Sequence, residues 1–332
     1  MADKEVKSTL TATPDQEPDL IAIVKSSDAS RKAKMDACRE LARFSTQAAV
    51  APLAALLGDE ELSHMARYGL ETNPDPSVDE AFREALEKLK GLPLVGVIGS
   101  IGVRRDKKAA ESLGRLLKDS DDQVAQAAAR ALGNIGCSKA AKAFAETLDT
   151  VSPVNRKAFC EGAFRTAETR IAENQATTAL ALYDRLRKIP DAPHQIRTGA
   201  LRGAVLTRGE KGLPLLLEAL RGEDYALVEA AAHISHEMPG AEVTRALASE
   251  LGNLPADKQI LLIQTLGDRG DATALPALFA LVGKAEKPVR LEAVRNLARF
   301  GNPKAVPVLK ELLKDSDQEI RQAAQASLNA LG

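Results

Sequence analysis

Five glycines toward the end of the chain, Gly209, Gly240, Gly270, Gly301 and Gly332, stand 30 or 31 residues apart. A fixed period of this length constrains the fold more than any other feature, because it marks one supersecondary unit used repeatedly. Further forward the same position is held by Gly102 and Gly136, 34 residues apart, and by Ser45. Each unit contains two amphipathic segments. Laying NPKAVPVLKELLKD over DATALPALFALVGK puts Ala305, Val306, Leu309, Leu312 and Leu313 on Ala274, Leu275, Leu278, Leu281 and Val282. Their i, i+3, i+4, i+7 spacing predicts one buried helical stripe. The second segments match as well: Ile320, Ala323, Ala324 and Leu328 fall on Val124, Ala127, Ala128 and Leu132.

The punctuation between segments has a physical reading. Asp315 or Ser316, and Ser120 or Asp121, offer side-chain oxygens to the free amides of a helix start. The periodic glycine can take the left-handed conformation that closes a helix. Pro52, Pro214, Pro276 and Pro307 fall in or near the first turns of first helices, where a missing amide is tolerated. The units are therefore helix, turn, helix. Aromatic residues make up 3% of the chain and tryptophan is absent, which suits thin layers of Ala and Leu between stacked helices.

The string GNPKAVPVLKELLKDSDQEIRQAAQASLNALG resembles a HEAT repeat of the bacterial kind associated with phycobilisome lyases (PBS lyase HEAT-like). The likeness is close over residues 103–148 and 209–332. A longer, irregular unit occupies about 150–208, where RIAENQATTALALYDRLRKI suggests an extended first helix in the tetratricopeptide style. Through LSHMARYGLE and KLKGLPLVGVIGSIGVRRD the whole chain is similar to HEAT-repeat segments of large bacterial proteins of unassigned function. The resemblance implies an all-α fold, a right-handed α-α superhelix (HEAT/armadillo-type solenoid) of about nine or ten helical hairpins. One repeat cannot bury its own stripe, so neighbours must share a continuous core. A disordered N-terminal tail is expected over 1–17 and a single solenoid over 18–332, its apolar last flank LNALG pointing to a weak cap or to a segment of something longer.

Charge and cysteine content exclude several functions. The 45 basic and 46 acidic residues nearly cancel, so no long-range field draws the chain to nucleic acid or to an anionic membrane. No nucleic-acid partner and no membrane insertion are expected, since no apolar run is long enough to span a bilayer. With no secretory signal pattern the chain reads as cytoplasmic by default, or as a processed form of an exported protein. Cys38, Cys137 and Cys160 are widely separated in apolar helical contexts, which predicts small buried hydrophobes and not a disulfide framework or zinc site. No phosphate loop, nucleophile elbow or haem-attachment motif occurs, and no cofactor is expected.

Three stretches could carry chemistry. In VEAAAHISHEMPG, Glu229, His233 and Glu237 are four residues apart and His236 is three from His233, so one helix face could offer donors to a metal. His233, His236 and Glu237 are the weak metal candidates. HEAT-like deoxyhypusine hydroxylase holds two irons through several His-Glu dyads. This chain has the dyad His236-Glu237 alone, and with His64 and His194 as its other histidines it cannot complete such a set. In ELSHMARYGLETNPDP, Leu62, Met65, Ala66, Gly69 and Leu70 face a core, leaving His64, Arg67, Tyr68 and Glu71 as a polar and aromatic stripe. Tyr and Arg are common interface anchors. In GLPLVGVIGSIGVRRD, Gly96, Gly99 and Ser100 form a small-residue line that lets a neighbouring helix or a ligand approach, and Arg104 and Arg105 follow where the helix dipole favours positive charge.

The expected function is a non-catalytic scaffold or adaptor whose second helices line a concave face binding a protein or peptide, anchored by His64, Arg67, Tyr68, His233 and His236. The alternative is an enzyme or chromophore handler of HEAT-like type. Phycobilin lyases, which the repeats resemble, hold a linear tetrapyrrole in the groove without a catalytic triad. The other such reading is a deoxyhypusine-hydroxylase-like metal oxygenase.

Overall fold

A computed structural model describes residues 11–189 and 191–332 of the chain. Among the described residues every regular element is helical. The chain falls into two compact units, Met1–Ala192 and Pro193–Gly332.

Among its described residues the first unit is built of five helical hairpins followed by a further helix. The hairpins are α1 (Glu17–Lys25) with α2 (Arg31–Phe44), α3 (Val50–Ala54) with α4 (Ser63–Glu71), and α5 (Ser77–Lys88) with α6 (Gly91–Arg104). Then come α7 (Ala110–Leu116) with α8 (Asp122–Ile135), α9 (Ser138–Thr147) with α10 (Arg156–Ala172), and finally α11 (Ala176–Leu186). Second helices pack in strict chain order, α2 on α4, α4 on α6, α6 on α8 and α8 on α10. Burial is accordingly shared along a row: Leu41, Leu70, Ile101 and Leu132 come from successive second helices, and each is at most 1% exposed. A buried leucine or isoleucine of this kind contributes about 1.5–3 kcal/mol.

The second unit opens with α12 (His194–Arg208) and continues with four hairpins. These are α13 (Leu213–Arg221) with α14 (Tyr225–His236), α15 (Ala241–Glu250) with α16 (Ala256–Arg269), α17 (Leu275–Lys284) with α18 (Lys287–Leu297), and α19 (Ala305–Leu312) with α20 (Gln318–Leu331). Here too the second helices stack in order, from α12 through α14, α16 and α18 to α20. Within each unit this is the α-α superhelical repeat arrangement.

Aspartates and arginines hold successive hairpins in register. Asp121, Asp224 and Asp317 cap α8, α14 and α20 by accepting from the amides of Gln123, Ala226 and Glu319. The α20 cap is thus Asp317, one or two residues beyond Asp315 and Ser316; Asp315 instead accepts from the Asp317 amide at 2.9 Å. At helix ends, an arginine of the next second helix reaches back to the carbonyls that the helix leaves open. Arg104 donates to Asn73 O at 2.7 Å and Glu71 O at 3.2 Å beyond and within α4. Arg269 donates to Met238 O at 3.1 Å and to Ser235 O at the end of α14. These bonds satisfy carbonyls that a helix terminus leaves without a partner.

Three further expectations change. Of the tail placed at 1–17, residues 1–10 lie outside the described residues, while residues 14–16 form a 3-10 turn and Glu17 opens α1. This stretch is held because two buried carboxylates need donors: Glu40 accepts from the Thr11 amide at 2.8 Å, and Glu17 from the Thr46 amide at 2.6 Å. The extended helix suggested over RIAENQATTALALYDRLRKI is two helices, since Asn174 adopts φ 59° and turns α10 back into α11; asparagine tolerates that left-handed conformation better than most residues. Gly102 is not a helix terminator. It lies inside α6, where a Cβ would come 2.8 Å from Ala131 Cα, and Arg105 takes the left-handed position with φ 54°.

All three cysteines are free and buried. Burial pushes the thiols of Cys38 and Cys160 up to about 11, so the reactive thiolate is scarce near neutral pH. Iodoacetamide is expected to leave Cys38 and Cys160 unmodified in the native protein and to label both in concentrated guanidinium. Rapid native labelling of either, read by peptide mass spectrometry, would contradict the packing around it.

Candidate functional site

Leu62 just before α4 and Met65, Ala66, Gly69 and Leu70 on it are buried, as the helical period requires. The stripe opposite them splits in two. Arg67 and Glu71 turn toward α6: Arg67 Nη1 donates to Gly96 O at 3.3 Å, and Ser100 Oγ donates to Glu71 Oε1 at 2.6 Å. The fit is close, because a Cβ on Gly96 would lie 2.6 Å from the Arg67 guanidinium carbon. Burial lowers the Arg67 pKa and the nearby Glu71 carboxylate opposes that shift. Arg67 Nε is buried with no hydrogen-bond partner among the described residues. The small-residue line Gly96-Ser100 thus admits a neighbouring side chain and a hydrogen bond between hairpins. His64 and Tyr68, four residues apart, remain exposed, with Tyr68 48% accessible.

Next to them, α6 is apolar on its free side. Leu92 is 74% and Val103 61% exposed, with Gly99 between them, also exposed. Sequence reasoning passed over Leu92 and Val103, although a helix with no charged residue from Gly91 to Val103 carries more apolar surface than two flanking helices can cover.

On α14, Glu229, His233 and His236 are exposed, and so is Glu237 just beyond the helix end. Glu237 is already engaged: Arg202 of α12 donates through Nε at 2.8 Å and Nη2 at 2.5 Å, and this holds its carboxyl below the usual range. Burial lowers the His236 pKa, with Arg269 and His233 adding to the shift and Asp268 opposing it. Among the described residues no three His, Cys, Asp or Glu side chains come together as a metal-binding group. His233 shares an open groove between α12 and α14 with His194, Thr198, Arg202 and Glu237. His194 lies 39 residues away in the chain, too far for one helix face to reveal it.

Residues 94–162 and 244–329 match the family of HEAT repeats. No curated protein matches the chain. Among solved structures, a Kap121p mutant is 11% identical, with 98% of this chain and 42% of that chain covered at a TM-score of 0.53; at that identity the likeness concerns the fold alone. An engineered protein is 18% identical over 96% of this chain and 99% of its own, at a TM-score of 0.41. Human deoxyhypusine hydroxylase in complex with glycerol is 16% identical over 96% of each chain, at a TM-score of 0.33. The last two overlays are too loose to bear on fold or chemistry. No helix among the described residues is long and apolar enough to cross a membrane.

Proposed function

We propose that the chain is a non-catalytic scaffold or adaptor that binds a protein or peptide partner across its second helices. One observation carries this reading. Stacking in file leaves a row of second-helix faces, and on that row Tyr68, Leu92 and Val103 stay exposed, as large apolar and aromatic side chains do at interaction surfaces. HEAT repeats in residues 94–162 and 244–329 are consistent with binding through distributed contact. His64 and Tyr68 would anchor the partner on one unit, with Arg67 fixing the helix beneath them, and His233 and His236 on the other.

Affinity capture from the native organism, quantified by mass spectrometry, tests the reading. At least one protein retained by the wild type is expected to be lost from a His64→Ala/Tyr68→Ala or a His233→Ala/His236→Ala variant. Recovery of the same proteins with both variants would remove these anchors. Stoichiometric iron in the purified protein would favour an oxygenase instead.

A further inference from the structure

Helix α6 presents a surface that the fold leaves unused. Leu92, Gly99 and Val103 fall within one narrow stripe of a helix with about 3.6 residues per turn, and they span about 17 Å of its axis. Both edges of the stripe are occupied, by Arg67 of α4 against Gly96 and by Ala131 of α8 against Gly102. Those two glycines have structural reasons. Gly99 has none: a Cβ there would meet nothing within 4 Å, and glycine inside a helix weakens it relative to alanine. What glycine does at this position is keep the floor low between the edge held by Arg67 and the edge held by Ala131.

Charge gives the missing occupant its character. Arg130 stands on the exposed side of α8, and among the described residues its guanidinium makes one hydrogen bond, to Gln126 Oε1 at 3.4 Å. Arg165 of α10 is held toward α8 by donating to Asn134 Oδ1 at 2.9 Å. Neither guanidinium makes an ion pair among the described residues, although Arg83, Arg104, Arg170 and Arg185 in the same unit all do. The half-buried Glu161 lies four residues from Lys157 and four from Arg165 along α10, which leaves this side of the apolar strip with an excess of positive charge.

We propose that the free face of α6 docks an amphipathic helix of a protein partner, its apolar edge along Leu92, Gly99 and Val103 and its carboxylates on Arg130 and Arg165. This rests on the scaffold reading above. A helix about 10 Å across fits over α6, because α4 and α8 stand about 16–20 Å apart when each packs on α6 at ordinary helix spacing. Recognition then combines an apolar anchor at the centre with a salt-dependent flank.

Selection of random peptides of about 16 residues, long enough to cover the stripe, displayed on phage against the full chain, tests it. Enriched peptides are expected to carry apolar residues at helical spacing with Asp or Glu along one flank. Arg130→Glu and Gly99→Leu should each weaken their binding roughly tenfold or more, while Gly99→Leu, which enters open space and adds helix propensity, keeps the wild-type circular dichroism and does not lower the melting temperature. Enriched peptides without acidic residues, or with affinities that both substitutions leave unchanged, overturn the proposal. If such peptides are lost on His233→Ala instead, the scaffold reading stands and this site alone fails; enrichment of nothing defeats both. Binding of a single-stranded RNA oligonucleotide through Arg130, with no acidic peptide enriched, would assign the cations to phosphate and also overturn it.

Discussion

Gly162→Ala is expected to destabilise the chain by about 2–3 kcal/mol, although alanine is the better helix former. The reason is the crossing of α8 and α10. A Cβ at Gly162 would run into the backbone carbonyl of Ala129 and come 2.7 Å from the Phe144 ring, while Gly133 faces it so closely that a Cβ there would lie 2.7 Å from Gly162 Cα. Backbone cannot swing aside as a flexible side chain does, so the two helices must separate and the buried alanines around them lose contact. The same substitution at Gly99 should have the opposite sign, a gain of roughly 0.5–1 kcal/mol, because it adds helix propensity in open space. Urea denaturation midpoints of the two variants measure both effects. A Gly162→Ala variant as stable as the wild type would mean that α8 and α10 do not touch at this point.

That pair of glycines also shows what the sequence could reveal. Periodicity identified the hairpins because burial repeats every 3.6 residues within a helix and every 31 or so between them; Val124, Ala127, Ala128 and Leu132 are all buried as the pattern requires. It also gave the terminators at Gly136, Gly270 and Gly301, each left-handed with φ between 56° and 64°. It misassigned Gly102 because a glycine that ends a helix and a glycine that admits a neighbouring helix look alike in one dimension. Only the contact with Ala131 separates them.

The candidate site was legible to the same depth. Helical spacing correctly placed His64 and Tyr68 away from the core, since that depends on α4 alone. It could not tell that Arg67 and Glu71 are spent on Gly96 and Ser100, both 29 residues on, nor that Glu237 is held by Arg202, 35 residues back. Contacts between successive repeats decide which polar residues remain available, and each such contact joins positions that no single helix face brings together. The break at Asn174 belongs to the same class: a polar run compatible with one long helix turns back because α11 packs on α9 and α10.

Phe144→Ala is expected to cost about 3–5 kcal/mol, and the distribution of that loss is as informative as its size. Phe144 of α9 is fully buried, its ring set edge-on to Phe159 of α10 with centroids 6.4 Å apart and planes at 78°. Truncation opens a cavity at the joint between α8, α9 and α10, because the glycine contact beside it leaves no side chain that could move in. In a globular domain with one centre, such a cavity would lower the protection of every amide together. When hairpins lean on their neighbours in file, stability is close to a sum of local and nearest-neighbour contributions, so the damage should fade with distance along the stack. Hydrogen exchange read by mass spectrometry is therefore expected to show amides of α8, α9 and α10 losing most of their protection, α6 and α7 losing less, and α1 to α4 staying near wild type. Equal loss from α2 to α10 would show that the first unit opens as one body and that its core is not divided among repeats.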